Sequence, residues 1–222
     1  MVKRFMLGIA ALFVAVCGFS QDLVPVQQET NGSGDEIVPK PYALTLGPKV
    51  GINYSLAGNP DGMDLGIGGN IGLSGGVAAN IRFGKRPLTK FADTGRFGVQ
   101  LEALYSMHSL KSDIENINMN CYEIPLLFQW WFAQDFCIEV GPTFTGAFST
   151  TPKELKYNNT IFQTQEINGN DIMLTLGAEY KSQKGFNVSL RYNLGNSNLA
   201  GNFPTKVSTF SLGIGWLFSI VK

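Results

Sequence analysis

Between Phe136 and Phe148 the chain alternates without a break. Its even positions are apolar or inert (Phe136, Ile138, Val140, Pro142, Phe144 and Phe148, with Gly146 the one gap), and its odd positions are small or polar (Cys137, Glu139, Gly141, Thr143, Thr145 and Ala147). Successive strand side chains point to opposite faces, so this period of two predicts a strand with two unlike faces. At about 3.3 Å per residue the run spans roughly 40 Å, long for a soluble strand and enough for a tilted path across a bilayer.

Seven further runs keep the same pattern: Tyr42–Leu56, Gly69–Phe83, Phe97–His108, Asn118–Trp131, Ile172–Tyr180, Phe186–Leu194 and Val207–Phe218. In the first, Leu44, Leu46, Val50 and Ile52 oppose Thr45, Lys49, Asn53 and Ser55. In the last, Phe210, Leu212, Ile214 and Trp216 oppose Thr209, Ser211, Gly213 and Gly215. No helical period competes. Eight two-faced runs joined by turn-rich links predict an all-β fold, an eight-stranded antiparallel up-and-down barrel.

The polar face decides which way the barrel is turned. It is too small and too rich in glycine to coat a soluble protein, but it suits the lumen of an eight-stranded barrel, which is just wide enough for side chains to fill. The apolar face then meets lipid, and the fold is a transmembrane β-barrel with a side-chain-filled polar lumen. Seven charges point inward on this reading: Lys49, Arg82 and Arg191 against Glu102, Glu123, Glu139 and Glu179. Buried charges demand partners, so these residues are expected to form a salt-bridged network. A structural plug is the plainer role for it; a proton or ion path, or an acid/base pair of Glu102 and Glu123, is the functional one.

Aromatic residues sort to the strand ends. With both termini in the periplasm, Tyr42, Phe83, Phe97, Trp130, Phe136, Tyr180, Phe186, Trp216 and Phe218 fall at periplasmic ends. Tyr54, Tyr105, Tyr122, Phe148, Tyr192 and Phe210 fall near outer ends. Two girdles are what amphipathic rings at two membrane interfaces produce. The links 133–135 and 181–185 come out short and periplasmic. Those at 57–68, 150–171 and 196–206 come out as longer, polar, extracellular loops. The periplasmic turn 85–95 is longer than this scheme requires.

Composition narrows the setting. Only 15% of the 222 residues are charged and 26 are glycine. Lys3 and Arg4, an apolar core from Phe5 to Val16, and small residues at Gly18 and Ser20 form a signal-peptide pattern with a cut before Gln21. Residues 1–20 are therefore assigned to a signal peptide, 21–41 to a disordered periplasmic leader around Asn31-Gly32-Ser33-Gly34, and 42–222 to an outer-membrane barrel domain. No later stretch is apolar for long enough to form a transmembrane helix. The formal balance of 17 bases and 17 acids leaves no basic footprint for nucleic acid. Cys121 and Cys137 lie near opposite ends of consecutive strands, too far apart for a disulfide.

The chemical motifs are few. His108, the single histidine, sits in Ser106-Met107-His108-Ser109 near an outer strand end, with Glu123 on the next strand. A rim enzyme acting on lipid A with a Ser–His–acid set is one alternative; an exposed rim histidine with no catalytic role is the other. The glycines from Gly66 to Gly76 open no helix and so make no nucleotide loop. No cysteine–histidine cluster has metal spacing, and no cofactor is expected.

Several short segments resemble the outer-membrane β-barrel family of Bacteroidetes that includes PorT-like proteins. They are Gly47-Pro48-Lys49-Val50-Gly51-Ile52-Asn53, Leu101-Glu102-Ala103-Leu104-Tyr105-Ser106 and Tyr122-Glu123-Ile124-Pro125-Leu126-Leu127, then Glu139-Val140-Gly141-Pro142, Arg191-Tyr192-Asn193-Leu194-Gly195 and Leu212 to Phe218. The resemblance covers Tyr42 to Phe218 and departs at the end, where four residues follow Phe218. It implies an eight-stranded barrel in the outer membrane. It does not imply one task, since its members include secretion-associated proteins; the role expected for this chain is non-enzymatic, structural or one of interaction. The partners expected are outer-membrane lipid and proteins meeting the extracellular loops or the turn 85–95. A small-solute pore and a soluble ligand-binding barrel are the remaining alternatives.

Overall fold

The computed structural model describes residues 42–57, 67–83, 96–113, 115–157, 160–163, 171–182, 184–195, 198–200 and 203–221. The segments assigned above to signal peptide and leader, and the turn 85–95, lie outside the described residues. So do residues 58–66 of the first long loop.

The strands, in chain order, are β1 (Tyr42–Ala57), β2 (Gly68–Phe83), β3 (Phe97–Lys111), β4 (Ile117–Trp131), β5 (Phe136–Thr151), β6 (Glu154–Tyr157), β7 (Thr160–Gln163), β8 (Asp171–Lys181), β9 (Phe186–Leu194), β10 (Asn198–Ala200), β11 (Phe203–Trp216) and β12 (Phe218–Val221). Eight of them form the wall, each antiparallel to the next in the order β1-β2-β3-β4-β5-β8-β9-β11. The sheet closes where β11 returns to β1, with Lys49 opposite Gly215 and Ala57 opposite Val207 at the two limits of the ladder. Closure leaves the wall no free edge at this seam. Strand β12 continues the line of β11 and pairs with β1 from Leu44 to Leu46. The break between them falls opposite Gly47 and Pro48, and Pro48 has no amide hydrogen to give the ladder. The Leu217 amide donates instead to the Gly185 carbonyl at 2.8 Å.

The end of the barrel that holds Tyr42, Phe97, Phe136 and Trp216 is called lower here, and the end that holds Ala57, Lys111, Thr151 and Asp171 upper. Two tight lower links follow the expected pattern. Bends span 132–135, and at the second link the Gly185 amide donates to the Ser182 carbonyl at 3.0 Å with Gly185 at φ 98°, a left-handed conformation open to glycine.

The two faces differ sharply. Val50 and Leu190, on the outer face, are 56% and 59% exposed, whereas Glu102 and Glu139, on the inner face, are 1% and 0%. Among the described residues no helix is long and apolar enough to cross a membrane.

Two of the expected polar loops contain strand. The stretch 150–171 carries the β6–β7 hairpin, a separate two-stranded sheet, and the stretch 196–206 carries β10 paired to the start of β11. Segments of three or four residues are too short for alternation to register, which is why the pattern passes over them. In β5 the ladder shifts between Ala147 and Ser149, so that Phe148 is an extra residue in a bulge. The phase inverts beyond it: Ser149 is exposed and Thr150 buried.

Candidate functional site

Alternation on eight strands aims the inward positions at one another across the lumen, where they form three tiers. The middle tier is ionic, and Arg191 of β9 is its hub. Its Nη1 and Nη2 donate to Glu102 Oε2 and Oε1 of β3, both at 2.7 Å. Its Nε donates to Glu139 Oε1 of β5, and Nη2 also reaches Glu139 Oε2 at 3.3 Å. A planar guanidinium with five donors suits this double fork as no ammonium could. Lys49 of β1 donates to Glu102 Oε1 at 2.8 Å and lies 3.7 Å from Glu179 Oε2 of β8.

Three carboxylates face two bases here, and amides supply the remaining donors. Gln100 Nε2 donates to Glu102 at 2.6 Å and to Glu179 at 3.0 Å, Gln129 Nε2 donates to Glu139 at 3.3 Å, and Asn187 Nδ2 donates to Glu179 at 3.3 Å. The tier has no room to spare at Gly177, where a Cβ would stand 2.8 Å from Arg191 Cγ and 3.1 Å from Glu139 Oε1.

The lower tier is formed by residues from four strands. Lys181 Nζ donates to Thr45 Oγ1 at 2.8 Å and to Asn80 Oδ1 at 3.3 Å. Asn80 Nδ2 donates in turn to Gln129 Oε1 at 2.6 Å. Arg82 Nη1 donates to the Gln134 carbonyl at 3.0 Å, and its guanidinium carbon lies 4.0 Å from the centre of the Trp131 ring. Trp131 and Leu217, both buried, close this end with apolar surface.

The upper tier centres on His108. Its Nε2 lies 2.6 Å from Glu123 Oε1 and its Nδ1 3.0 Å from Ser55 Oγ, with Ser106 Oγ 3.3 Å from Nε2. Asn53 Nδ2 donates to that Ser106 oxygen at 2.7 Å. Nearer the rim, Asn70 Nδ2 donates to Ser109 Oγ at 2.9 Å, and Ser109 Oγ donates to Asn118 Oδ1 at 2.7 Å. Leu110 and Ile117, paired across β3 and β4, are fully buried here.

The seven inward charges therefore do not form one cluster. Lys49, Glu102, Glu139, Glu179 and Arg191 meet in the middle, Glu123 pairs with His108 above, and Arg82 sits on Trp131 below. Glu102 and Glu123 belong to different tiers, so they make no acid/base pair. The expectation of an exposed rim histidine is corrected: His108 is 4% exposed and faces the lumen, because it shares the phase of Gln100 and Glu102 on β3. The histidine does meet a serine and an acid, as a Ser–His–acid set requires. That serine is Ser55, from another strand, and it is fully buried.

Lys181, Gln100, Gln129 and Asn80 enter the network without having been singled out from the sequence. Lys181 follows the end of its run by one residue, in phase with Glu179, and that phase is the signal that places it inside. The same rule places Leu127 and Trp131 inside with Gln129, although their apolar character suggests the outer face. Among the described residues no group of three His, Cys, Asp or Glu side chains is placed to hold a metal ion. Cys121 and Cys137 are free and buried.

On the outer wall the aromatics gather in contacts near the ends. At the lower end Phe136 and Tyr180 lie 4.9 Å apart between ring centres, Phe97 and Phe128 5.7 Å, and Phe186 and Trp216 6.3 Å. Tyr42, Phe83, Trp130 and Phe218 are exposed at this end too. Phe132, in the lower turn, joins Trp130 and Phe136 at 6.4 Å from each; the expected set omitted it because it lies outside a strand. At the upper end the bulged Phe148 stacks 6.3 Å from Tyr105 and 5.4 Å from Tyr122, and Tyr192 meets Phe210 at 4.4 Å. Tyr54 is exposed nearby.

Among solved structures the chain is similar to three membrane barrels. Neisserial surface protein A shares 10% identity, with 78% of this chain and 97% of that chain covered and a TM-score of 0.51. Ail, the attachment invasion locus protein of Yersinia pestis, crystallised with the heparin analogue sucrose octasulfate, shares 12% over 79% of this chain and 99% of its own, with a TM-score of 0.47. A de novo designed transmembrane β-barrel shares 12% over 78% and 95%, with a TM-score of 0.36. At such identities the likeness to the Neisserial protein concerns the fold alone. No curated protein matches the sequence. The family described as outer membrane protein beta-barrel domain matches residues 38–218. With that match spanning nearly the whole closed, outward-apolar barrel, the chain belongs to the outer-membrane β-barrel domain family and lies in the outer membrane, in contact with its lipid.

Proposed function

We propose that this protein is a non-enzymatic anchor and display scaffold of the PorT-like kind found in Bacteroidetes, exported by a cleaved signal at residues 1–20. Residues 21–41 form its periplasmic leader, and residues 42–222 its membrane domain. The lower end faces the periplasm and the upper end the cell exterior, with the two sets of aromatic rings at the two lipid interfaces. Its work is done by contacts with other proteins, through the upper loops or the turn 85–95, in support of protein secretion.

The observation that carries this reading is the lumen. Hydrogen-bonded ionic and amide side chains cross-link β1, β3, β5, β8 and β9 through its middle, which suits a rigid plug and leaves surface loops as the place for recognition. The resemblance of Tyr122-Glu123-Ile124-Pro125-Leu126-Leu127 and its companions supports the PorT-like assignment. A deletion strain tests it: export of secreted cargo should fall, and return with the wild-type gene but not with a variant whose residues 152–170 are replaced by a short Gly/Ser link. Unimpaired secretion in the deletion strain would sink the proposal.

The rim-enzyme alternative has one observation in its favour, the Ser55–His108–Glu123 contact. Burial of all three, facing away from lipid, opposes it, since an acyl chain lying in the membrane plane has no route to Ser55. His108→Ala should leave the lipid A profile unchanged.

A further inference from the structure

Between the upper and middle tiers the polar chain has a gap. Glu123 belongs to the His108 set and Lys49 to the Arg191 set, and no direct contact joins them. Both instead line a partly open pocket of about 20 Å³ in the lumen, together with Asn53, Ser74, Ser189 and Ser211. A space of this size holds about one water molecule.

The lining is chemically unfinished. Among the described residues the hydroxyls of Ser74, Ser189 and Ser211 make no hydrogen bond to protein; Ser189 is buried, at 1% exposed, and Ser74 and Ser211 are half-buried. The Lys49 ammonium has three protons, and Glu102, at 2.8 Å, is its one hydrogen-bond partner. Glu123 offers carboxylate lone pairs beyond the one facing His108. For the buried Lys49 ammonium and Ser189 hydroxyl, protons without partners carry a substantial desolvation cost. The cavity is kept open by backbone: Ser189 Oγ would stand 2.8 Å from a Cβ at Gly213, and Ser74 Oγ 2.9 Å from one at Gly51. Glycine at both positions lets the two hydroxyls lean against the opposite strand.

We infer that this cavity is a binding site for a single ordered water, which accepts a hydrogen bond from Lys49 Nζ, donates one to Glu123, and bonds to the serine hydroxyls. The guest is neutral, because the site presents one cation and one anion to it and leaves no net charge for an ion to balance. Bridged in this way, the His108–Glu123 pair and the Arg191 cluster form one hydrogen-bonded column from Ser55 to Lys181.

A crystal structure of the refolded wild-type barrel near 1.5 Å resolution is the test. It should show a water peak within about 3.2 Å of Lys49 Nζ and of the Glu123 carboxylate, the reach of a normal hydrogen bond. A dry cavity would overturn the inference, and so would Lys49 turned onto Glu123. An anomalous peak at the same place after a bromide or rubidium soak would also overturn it, since the guest would then be an ion. In a Ser74→Val variant the added methyl should expel the water, with loss of the peak and the Arg191 cluster unmoved. A peak that persists there would show that the site is not the one described.

Discussion

The outer and inner faces of this barrel are made by the same strands, residue by residue, yet they are held by opposite kinds of interaction. Outside, Val50, Leu212, Leu190 and Ile138 offer apolar area to lipid, and each acts nearly alone. Inside, Arg191, Glu102, Glu139, Lys49 and Glu179 depend on one another across the lumen. A contact with lipid is replaced by another contact with lipid. A lost partner in the lumen leaves a charge with nothing to meet it. Composition therefore suffices for one face, whereas the other requires specific residues at specific heights.

The largest consequence follows at the hub. Arg191→Ala strips Glu102 and Glu139 of their shared partner, and breaking a buried ion pair in this way costs about 3–5 kcal/mol. Urea unfolding in lipid vesicles should show that loss, or no folded, heat-modifiable band on gels. Next comes an error on the outer face. Leu212→Arg, at mid-strand opposite Ile52 and Leu190, places a charge in the bilayer centre at about 2–4 kcal/mol, read in the same unfolding experiment. If Leu212→Arg costs nothing, the outer face does not meet hydrocarbon.

Gly177→Ala tests lumen packing without removing a charge. The new methyl must displace Arg191 and the Leu190 carbonyl, each 2.8 Å away, at about 1–3 kcal/mol, and a structure of the variant should show the fork opened. The smallest effect belongs to Val50→Ile, which adds one methylene to a lipid-facing position and should change stability by less than about 0.5 kcal/mol. Equal costs for these last two would erase the distinction between the faces.

Much of the wall is legible because period two survives in nearly every strand. The phase alone assigns Lys49, Glu102, Glu139, Glu179 and Arg191 to the lumen. What it leaves out is height. Strands tilt and are staggered around a barrel, so inward residues of distant strands meet according to shear rather than sequence. Glu123 consequently finds His108 rather than Lys49, and Arg82 finds Trp131. Residue character misleads in the other direction, since Trp131 and Leu127 look like lipid-facing residues and are buried inside. The short β6, β7 and β10 strands lie below the reach of periodicity. The Phe148 bulge leaves no trace in the pattern, because Ser149 and Thr150, where the phase switches, are both polar.

The central claim is that the lumen is closed by its own side chains. Planar bilayer recording of the purified, refolded protein addresses it directly. A column joining Arg191, Glu102, Glu139 and Lys49 across the middle tier predicts a flat trace at either polarity, with no discrete steps above the bare membrane. Stable, reproducible conductance steps from the wild-type barrel would mean that ions pass where those side chains are placed, and would contradict the account.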